Sequence, residues 1–192
     1  TIAVHDLGDA ICERFADPSW LEVRDQWRAG KLTLPEAQDR MWSTVRASRE
    51  ELLSHAEAIG ELRAGVDELF EAAAKGELEL VIASGGFDLY IEHLLGDRLR
   101  GVTLYCNRLL PSPEGARLEF PHVELARHPF AIDKALVLQR HPGAFAGDVR
   151  SHRSVVATPD LPVVVEVSAL HHLATSARRS SVPFPAFPQT SA

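Results

Sequence analysis

The sequence holds one cluster well suited to anion chemistry, Ser84-Gly85-Gly86, which directly follows a short apolar run. We predict that residues 78–83 form a buried strand and that a helix begins at Asp88. Ligands of open α/β sheets bind beyond the carboxyl ends of the strands. Glycines let backbone N–H groups approach an anion, and the start of a helix attracts negative charge. The cluster therefore fits a phosphate site, although a plain turn in which Ser84 caps the helix explains the same residues.

Two charged residues later in the chain could complete such a site. Asp148 follows Gly147 after the apolar residues 144–146, and a carboxylate at a strand end is a suitable oxygen ligand for Mg²⁺. Lys134 stands at the start of a predicted helix and could neutralise a phosphoryl group. Taken alone, Asp148 also fits an ordinary turn and Lys134 a solvated surface.

The histidines and cysteines give no recognised metal motif. The chain has 9 His and 2 Cys, and the adjacent pair His171-His172 does not match the spacing of zinc sites. Cys12 and Cys106 are far apart in sequence, so neither a disulfide nor a metal pair is expected. We predict that Cys106 is a buried structural residue, because the sequence identifies no histidine to activate it.

The first third of the chain is predicted to be helical, because apolar residues recur at helical spacing. We expect helices at residues 6–16, 19–29, 34–46 and 49–59. Three pairs match the capping box, in which a hydroxyl and a glutamate each bind a backbone N–H at the helix start: Ser19 with Glu22, Thr33 with Glu36, and Ser48 with Glu51. Gly30 is predicted to end the second helix.

Helices and strands then alternate, which is typical of a parallel α/β sheet. After a helix that ends near Gly76, strands are predicted at residues 78–83, 102–106, 117–120, 144–146 and 162–167. Further helices are predicted at residues 88–95 and 131–140. We therefore divide the chain into a helical domain at residues 3–61 and an α/β domain at residues 62–192.

Composition excludes several classes of function. The 192 residues are 45% hydrophobic and carry a formal net charge of −7, which suits a globular protein with one sizeable core. There is no basic stripe for nucleic acid, no apolar run long enough to span a bilayer and no signal peptide at the start. We expect a cytoplasmic protein that binds a small molecule, and nothing in the sequence indicates an oligomer.

The order of these motifs resembles the haloacid dehalogenase-like phosphatases. The chain is most similar to their phosphoserine phosphatase-like group, in the branch of the 2-hydroxy-3-keto-5-methylthiopentenyl-1-phosphate phosphatases. The resemblance rests on residues 82–88, on residues 104–107 with 120–122, on Thr1-Ile2 with residues 6–10, and on residues 14–18 with Trp20.

This resemblance implies a Rossmann-like parallel sheet core with an inserted helical cap, and a phosphoaspartyl mechanism that depends on Mg²⁺. Ser84 and the Gly85 backbone would bind the phosphate, Lys134 would balance charge, and Asp148 would bind the metal. Asn107 would contact the substrate. The family pattern D-x-D-G-T-I ends where Thr1-Ile2 stand, so the nucleophilic aspartate and its strand would precede residue 1.

Two hypotheses remain open at this stage. The first is a phosphomonoesterase acting on a small phosphorylated metabolite, with its nucleophile in an upstream segment. The second is a relative that binds a metabolite or partner without turnover. His152 stands where the family has a second acidic residue and favours the second hypothesis, whereas the intact Ser84-Gly85-Gly86 cluster favours the first.

Overall fold

The structure, a computed structural model, describes residues 2–122, 124 and 132–142, and the backbone of two further strands at 144–146 and 163–167. Asp148, His152 and the pair His171-His172 lie outside the described residues.

The four predicted N-terminal helices are confirmed, although the third ends at Trp42 and not at residue 46; together they form what we call the helical segment. They are α1 (Leu7–Phe15), α2 (Trp20–Arg28), α3 (Leu34–Trp42) and α4 (Arg49–Ile59). The capping boxes that begin α3 and α4 have both of their hydrogen bonds. Gly30 follows α2 with a φ of 72°, a left-handed conformation that glycine adopts without strain. None of the described helices is both long and apolar enough to cross a bilayer.

The capping box predicted at Ser19 is wrong. Ser19 already has helical backbone angles, and its side chain makes no capping hydrogen bond. The carboxylate of Asp17 instead accepts a hydrogen bond from the Ser19 N–H at 2.9 Å. The chain thus begins to turn at Asp17, two residues earlier than the sequence pattern indicated, and the hydroxyl of Ser19 does not cap α2.

The remaining chain alternates helices and strands as predicted. Its elements are α5 (Val66–Ala74), β1 (Leu80–Phe87), α6 (Asp88–Leu95), a 3₁₀ turn (Gly96–Leu99), β2 (Thr103–Leu110), β3 (Arg117–Glu119), α7 (Lys134–Arg140), β4 (Ala144–Ala146) and β5 (Val163–Val167). The strands β1 and β2 both extend beyond their predicted ends: β1 continues through the two glycines to Phe87, and β2 continues to Leu110, where it pairs with β3.

The strands form one five-stranded sheet in the order β3-β2-β1-β5-β4. The pairs β1–β2, β1–β5 and β4–β5 are parallel, and only β3 runs antiparallel to its neighbour. The predicted α/β fold with a parallel sheet core is therefore confirmed. Both edges of β1 are paired, since β5 follows it in register from Leu80–Val163 to Ser84–Val167. The division of the chain at residues 61 and 62 remains a prediction.

Side chains of β1 alternate between two apolar clusters, one on each face of the sheet. Leu80 and Ile82 belong to the main core, together with residues of the helical segment such as Ile11 and Trp42. Val81 and Ala83 face the opposite way and pack with Ile132 and Val137, the latter from α7. This alternation is the period of two expected for a strand that is covered on both faces.

Candidate phosphate-binding site

Ser84 lies where β1 departs from regular pairing with β2. The register runs through Ala83–Tyr105 and resumes at Phe87–Asn107, so β1 takes four steps (83 to 87) where β2 takes two (105 to 107). Such a bulge re-aims side chains at the end of a strand. The Ser84 side chain is fully buried, and its Oγ accepts a hydrogen bond from the Gly86 N–H at 2.9 Å.

Ser84 does not cap α6, so that part of the plain-turn explanation is wrong. The residue before α6 is Phe87, and α6 has no side-chain cap. Ser84 binds the turn itself, through Gly86, and not the first turn of the helix. A serine hydroxyl has one proton to donate and two acceptor sites, and the hydrogen bond from Gly86 uses one of the acceptor sites.

The two glycines of the turn have different surroundings, and their predicted role in letting an anion approach the backbone remains a prediction. Neither has a positive φ. At Gly86, however, a Cβ atom would lie 2.5 Å from the Tyr90 hydroxyl, whereas at Gly85 its only neighbour within 4 Å would be a Leu34 methyl at 3.9 Å. Position 86 therefore has no room for a side chain and requires glycine, whereas position 85 has room for a Cβ atom. Burial, followed by the charge of Asp6, raises the pKa of the Tyr90 phenol well above its usual range.

Two buried amide side chains bind the carbonyl oxygen of Gly85. Gln38 Nε2 donates to it at 2.8 Å, and Asn107 Nδ2 donates at 2.9 Å. Each side chain is only 1% exposed. We call this arrangement the amide clamp: Gln38 and Asn107 on the Gly85 carbonyl. It joins three elements, because Gln38 belongs to α3, Gly85 to β1 and Asn107 to β2.

Asn107 was predicted as a substrate contact, whereas Gln38 was missed. A signal for Gln38 was present in the sequence, because it occupies an apolar position of α3. Leu34, Ala37, Gln38 and Met41 have the spacing of one helix face, and Ala37, Gln38 and Met41 are all buried. A polar residue within such a stripe must have a hydrogen-bonding partner.

Other contacts hold the helical segment against the strand end. Trp42, at the end of α3, packs edge-on against Phe87 with ring centroids 4.7 Å apart. Asp88 begins α6, and its Oδ1 accepts the N–H of Leu109 at 3.0 Å, while Arg108 lies 3.5 Å from Oδ2. The start of α6 is thus fixed to β2. This contact holds the helix end of the turn that joins β1 to α6.

Lys134 begins α7, as predicted, on the opposite face of β1. Asp133 precedes it, is 7% exposed, and caps the helix by accepting the N–H of Ala135 at 2.9 Å. Ile132 shares an apolar cluster with Ala83, the residue next to Ser84. The fold therefore brings the start of α7 against the strand that carries the turn.

The described residues hold no ready-made cluster of metal ligands, and the predicted Mg²⁺ site remains a prediction. They contain no group of three His, Cys, Asp or Glu side chains placed to hold an ion, and the predicted ligand Asp148 is outside them.

Cys106 is a buried structural residue, as predicted. It is 7% exposed, and burial, followed by the charges of Asp88 and Glu92, raises the pKa of its thiol to about 12. Because the thiolate is the reactive form, Cys106 is a poor nucleophile. Cys12 is also free and buried, and burial raises the pKa of its thiol even further.

A cavity of about 770 Å³ lies among the helices of the helical segment and the loops that connect them. Asp6, Asp9 and Glu13 line it together with Trp20 and Arg24. Arg24 stacks over the Trp20 ring at 4.9 Å and lies 4.0 Å from Asp9. Neither Ser84 nor the two glycines line this cavity, so it is separate from the predicted phosphate site.

Comparison with known proteins supports the resemblance. No protein-family model matches the chain. A 2-hydroxy-3-keto-5-methylthiopentenyl-1-phosphate phosphatase from Geobacillus kaustophilus is 29% identical over 123 residues, which are 64% of this chain and 56% of the relative. One from Exiguobacterium is 28% identical over 123 residues, 64% of this chain and 57% of the relative. One from Brevibacillus brevis is 24% identical over 191 residues, 97% of this chain and 86% of the relative.

The chain thus spans little more than half the length of the first two of these curated relatives. Its resemblance to phosphatases of this branch, predicted from residues 82–88 and the motifs around them, is confirmed at modest identity.

Proposed function

We propose that this chain supplies the phosphate-binding strand end and the covering helices of a phosphomonoesterase that acts on a small phosphorylated metabolite. The curated relatives are named as phosphatases of one such metabolite. The observation that carries the proposal is the buried Ser84 at the end of β1, bound to the Gly86 N–H at 2.9 Å. A hydroxyl held at a strand end beside a glycine backbone is suited to donate to a phosphate oxygen.

Within this proposal Ser84 donates its hydroxyl proton in a hydrogen bond, and the Gly85 N–H lies beside it as a second donor. Lys134 neutralises part of the phosphoryl charge. The helical segment acts as the cap that excludes water and selects the substrate. Asn107, fixed to Gly85, borders the space in which the organic part of a substrate would lie.

Turnover through a phosphoaspartyl intermediate further requires a carboxylate nucleophile in line with the leaving oxygen. The resemblance places that carboxylate before Thr1, and it places a Mg²⁺ ligand at Asp148. Both assignments are part of the proposal.

A second candidate function is phosphate or metabolite binding without turnover. The pairing of β1 favours it, because β5 occupies the strand position beside the turn and Val167, not a carboxylate, is in register with Ser84. In this case the same turn would hold an anion that is not hydrolysed.

The test combines binding with turnover. We expect inorganic phosphate to bind the purified 192-residue chain, measured by ³¹P NMR and calorimetry, and Ser84→Ala to weaken binding about tenfold, the value of one charge-assisted hydrogen bond. Ser54→Ala, an exposed serine on α4, is the matched control and should bind as the parent does. Failure of phosphate to bind the parent chain would refute both candidates.

Hydrolysis of p-nitrophenyl phosphate, with Mg²⁺ and with EDTA, then separates them. Mg²⁺-dependent hydrolysis by a chain extended upstream to include D-x-D-G, lost in Ser84→Ala, supports the phosphatase, whereas hydrolysis by the 192-residue chain itself would refute the placement of the nucleophile before Thr1. Phosphate binding without hydrolysis, both in this chain and in one extended upstream to include D-x-D-G, supports the binding protein.

A further inference from the structure

The Gly85–Gly86 peptide is bound at both of its ends. Its carbonyl oxygen accepts from Gln38 at 2.8 Å and from Asn107 at 2.9 Å, and its N–H donates to Ser84 Oγ at 2.9 Å. Hydrogen bonds in such a chain polarise one another, so two donors on the carbonyl strengthen the N–H as a donor. The orientation of the Ser84 hydroxyl therefore depends on two side chains that do not contact it.

The two amide side chains are not arranged to give the fold the greatest stability. Gln38 Oε1 and Asn107 Oδ1 are buried and have no hydrogen-bond partner among the described residues. A buried acceptor without a partner costs free energy, and an apolar residue would fill the stripe of α3 better than a half-bonded amide. Neither amide can be reversed, because its own oxygen would then face the Gly85 carbonyl.

From these contacts we propose that Gln38, with Asn107, is a positioning residue for phosphate binding, fixing the Gly85–Gly86 peptide so that Ser84 and the Gly85 N–H present a preformed anion site. Gln38 comes from α3 and Gly85 from β1, so the site is complete only when α3 is seated on the strand end. The inference rests on the proposed function and adds the link between the helical segment and the phosphate turn.

The first test replaces each amide by an apolar residue of similar size, Gln38→Met and Asn107→Leu. We expect phosphate to bind each variant about five- to tenfold more weakly, since one donor to the peptide is lost. The melting temperature of each should stay within about 3 °C of the parent, because the second donor still satisfies the Gly85 carbonyl. Unchanged affinity would overturn the proposal, as would a large fall in melting temperature, which would show a purely structural role.

The second test is Gln38→Glu, which makes the proton of the donor titratable. The protonated carboxyl can still donate to the Gly85 carbonyl, and burial beside that oxygen raises its pKa above that of an ordinary glutamate. The affinity of the variant relative to the parent should therefore be retained at low pH and lost as pH rises through this raised pKa. Gln26→Glu, on the exposed surface of α2, is the charge-matched control and should give a ratio that does not change with pH.

A readout that needs no phosphate keeps this inference separate from the proposed function. In Gln38→Met the Gly86 amide proton should move upfield and exchange faster with solvent, because its hydrogen bond to Ser84 is weakened. If phosphate does not bind the parent chain, the proposed function fails. The Gly86 amide measurement still shows whether Gln38 controls the conformation of the turn. A Gly86 amide that is unchanged in shift and exchange would show that Gln38 does not control the turn.

Discussion

The neighbours of the two turn glycines differ although the residues are adjacent. A Cβ at Gly86 would lie 2.5 Å from the Tyr90 hydroxyl and 3.1 Å from Ser84 Oγ, whereas a Cβ at Gly85 would meet only a methyl group at 3.9 Å. Tyr90 is fully buried between the helical segment and the sheet, so its ring has little freedom to move away. Glycine at position 86 is therefore a packing requirement of the site.

We expect Gly86→Ala to lower the free energy of unfolding by about 1–3 kcal/mol, the usual cost of forcing extra volume into a packed core. Gly85→Ala should change it by less than about 0.5 kcal/mol. Urea denaturation of the two variants measures the difference. Adding Tyr90→Phe to Gly86→Ala removes the nearest atom of the clash and should recover part of the loss; equal stability of the two alanine variants would contradict this explanation.

The sequence analysis predicted roles for Ser84 and Gly85 and, through the family resemblance, for Asn107, but it did not single out Gln38, and the reason is physical. A strand end followed by Ser-Gly-Gly is a local pattern, visible in consecutive residues. The contact of Gln38 with Gly85 joins positions 47 residues apart, and only the packing of α3 on β1 creates it. The polar residue in the apolar stripe of α3 indicated a buried partner, yet not which one.

Helix α3 carries half of the amide clamp, so its start matters to the site. Thr33 caps it: Thr33 Oγ1 accepts the Glu36 N–H at 3.3 Å, and Glu36 Oε2 accepts the Thr33 N–H at 2.8 Å. Pro35 stands in the first turn, where its missing N–H is not needed. These local bonds begin the helix at the register that places Leu34 and Gln38 over Gly85.

Thr33→Ala should therefore destabilise the protein by about 1 kcal/mol, the typical value of a helix cap. Ser19→Ala is the matched control, because its hydroxyl was predicted to cap α2 and does not; it should change stability by less than about 0.5 kcal/mol. Thermal and urea unfolding of both variants provide the comparison. A loss in Ser19→Ala as large as that in Thr33→Ala would show that the capping assignment is incorrect.

The elements themselves were largely predictable, and two of the failures have different causes. Helices α1 to α4 are set by local signals, namely apolar spacing and the caps at Thr33 and Ser48. The cap at Ser19 failed because Asp17 starts the turn earlier. The end of β1 was placed too early, at residue 83, because pairing with β2 extends it to Phe87, and pairing between strands is invisible to a local pattern.

At the scale of the whole molecule, the helical segment and the sheet share one apolar core. Ile11, Met41 and Trp42 belong to the same buried cluster as Phe87 and Tyr90. Trp42 and Phe87 are in edge-to-face contact at 4.7 Å, and the amide clamp joins the two parts next to this contact. Neither part can therefore separate without exposing apolar surface of the other.

We accordingly expect the helical segment and the sheet to unfold in a single cooperative transition. The chain offers a separate probe for each part. Its 3 tryptophans are Trp20, Trp27 and Trp42, all in α2 and α3, so their fluorescence reports the helical segment. Cys106 lies in β2 and is buried; in a Cys12→Ala background, its reaction with a pulse of Ellman's reagent reports the sheet.

In urea the two probes should have the same midpoint, as a two-state transition requires. Trp42→Ala should lower the free energy of unfolding by about 3–5 kcal/mol, the usual cost of truncating a large buried aromatic residue, and should shift both midpoints together. Trp27→Ala, which removes a partly buried tryptophan at the edge of the same core, is the control and should cost clearly less. If fluorescence changes at lower urea than Cys106 labelling, the helical segment unfolds on its own, and the seating of α3 on Gly85 is an equilibrium that phosphate would then shift by binding the seated state.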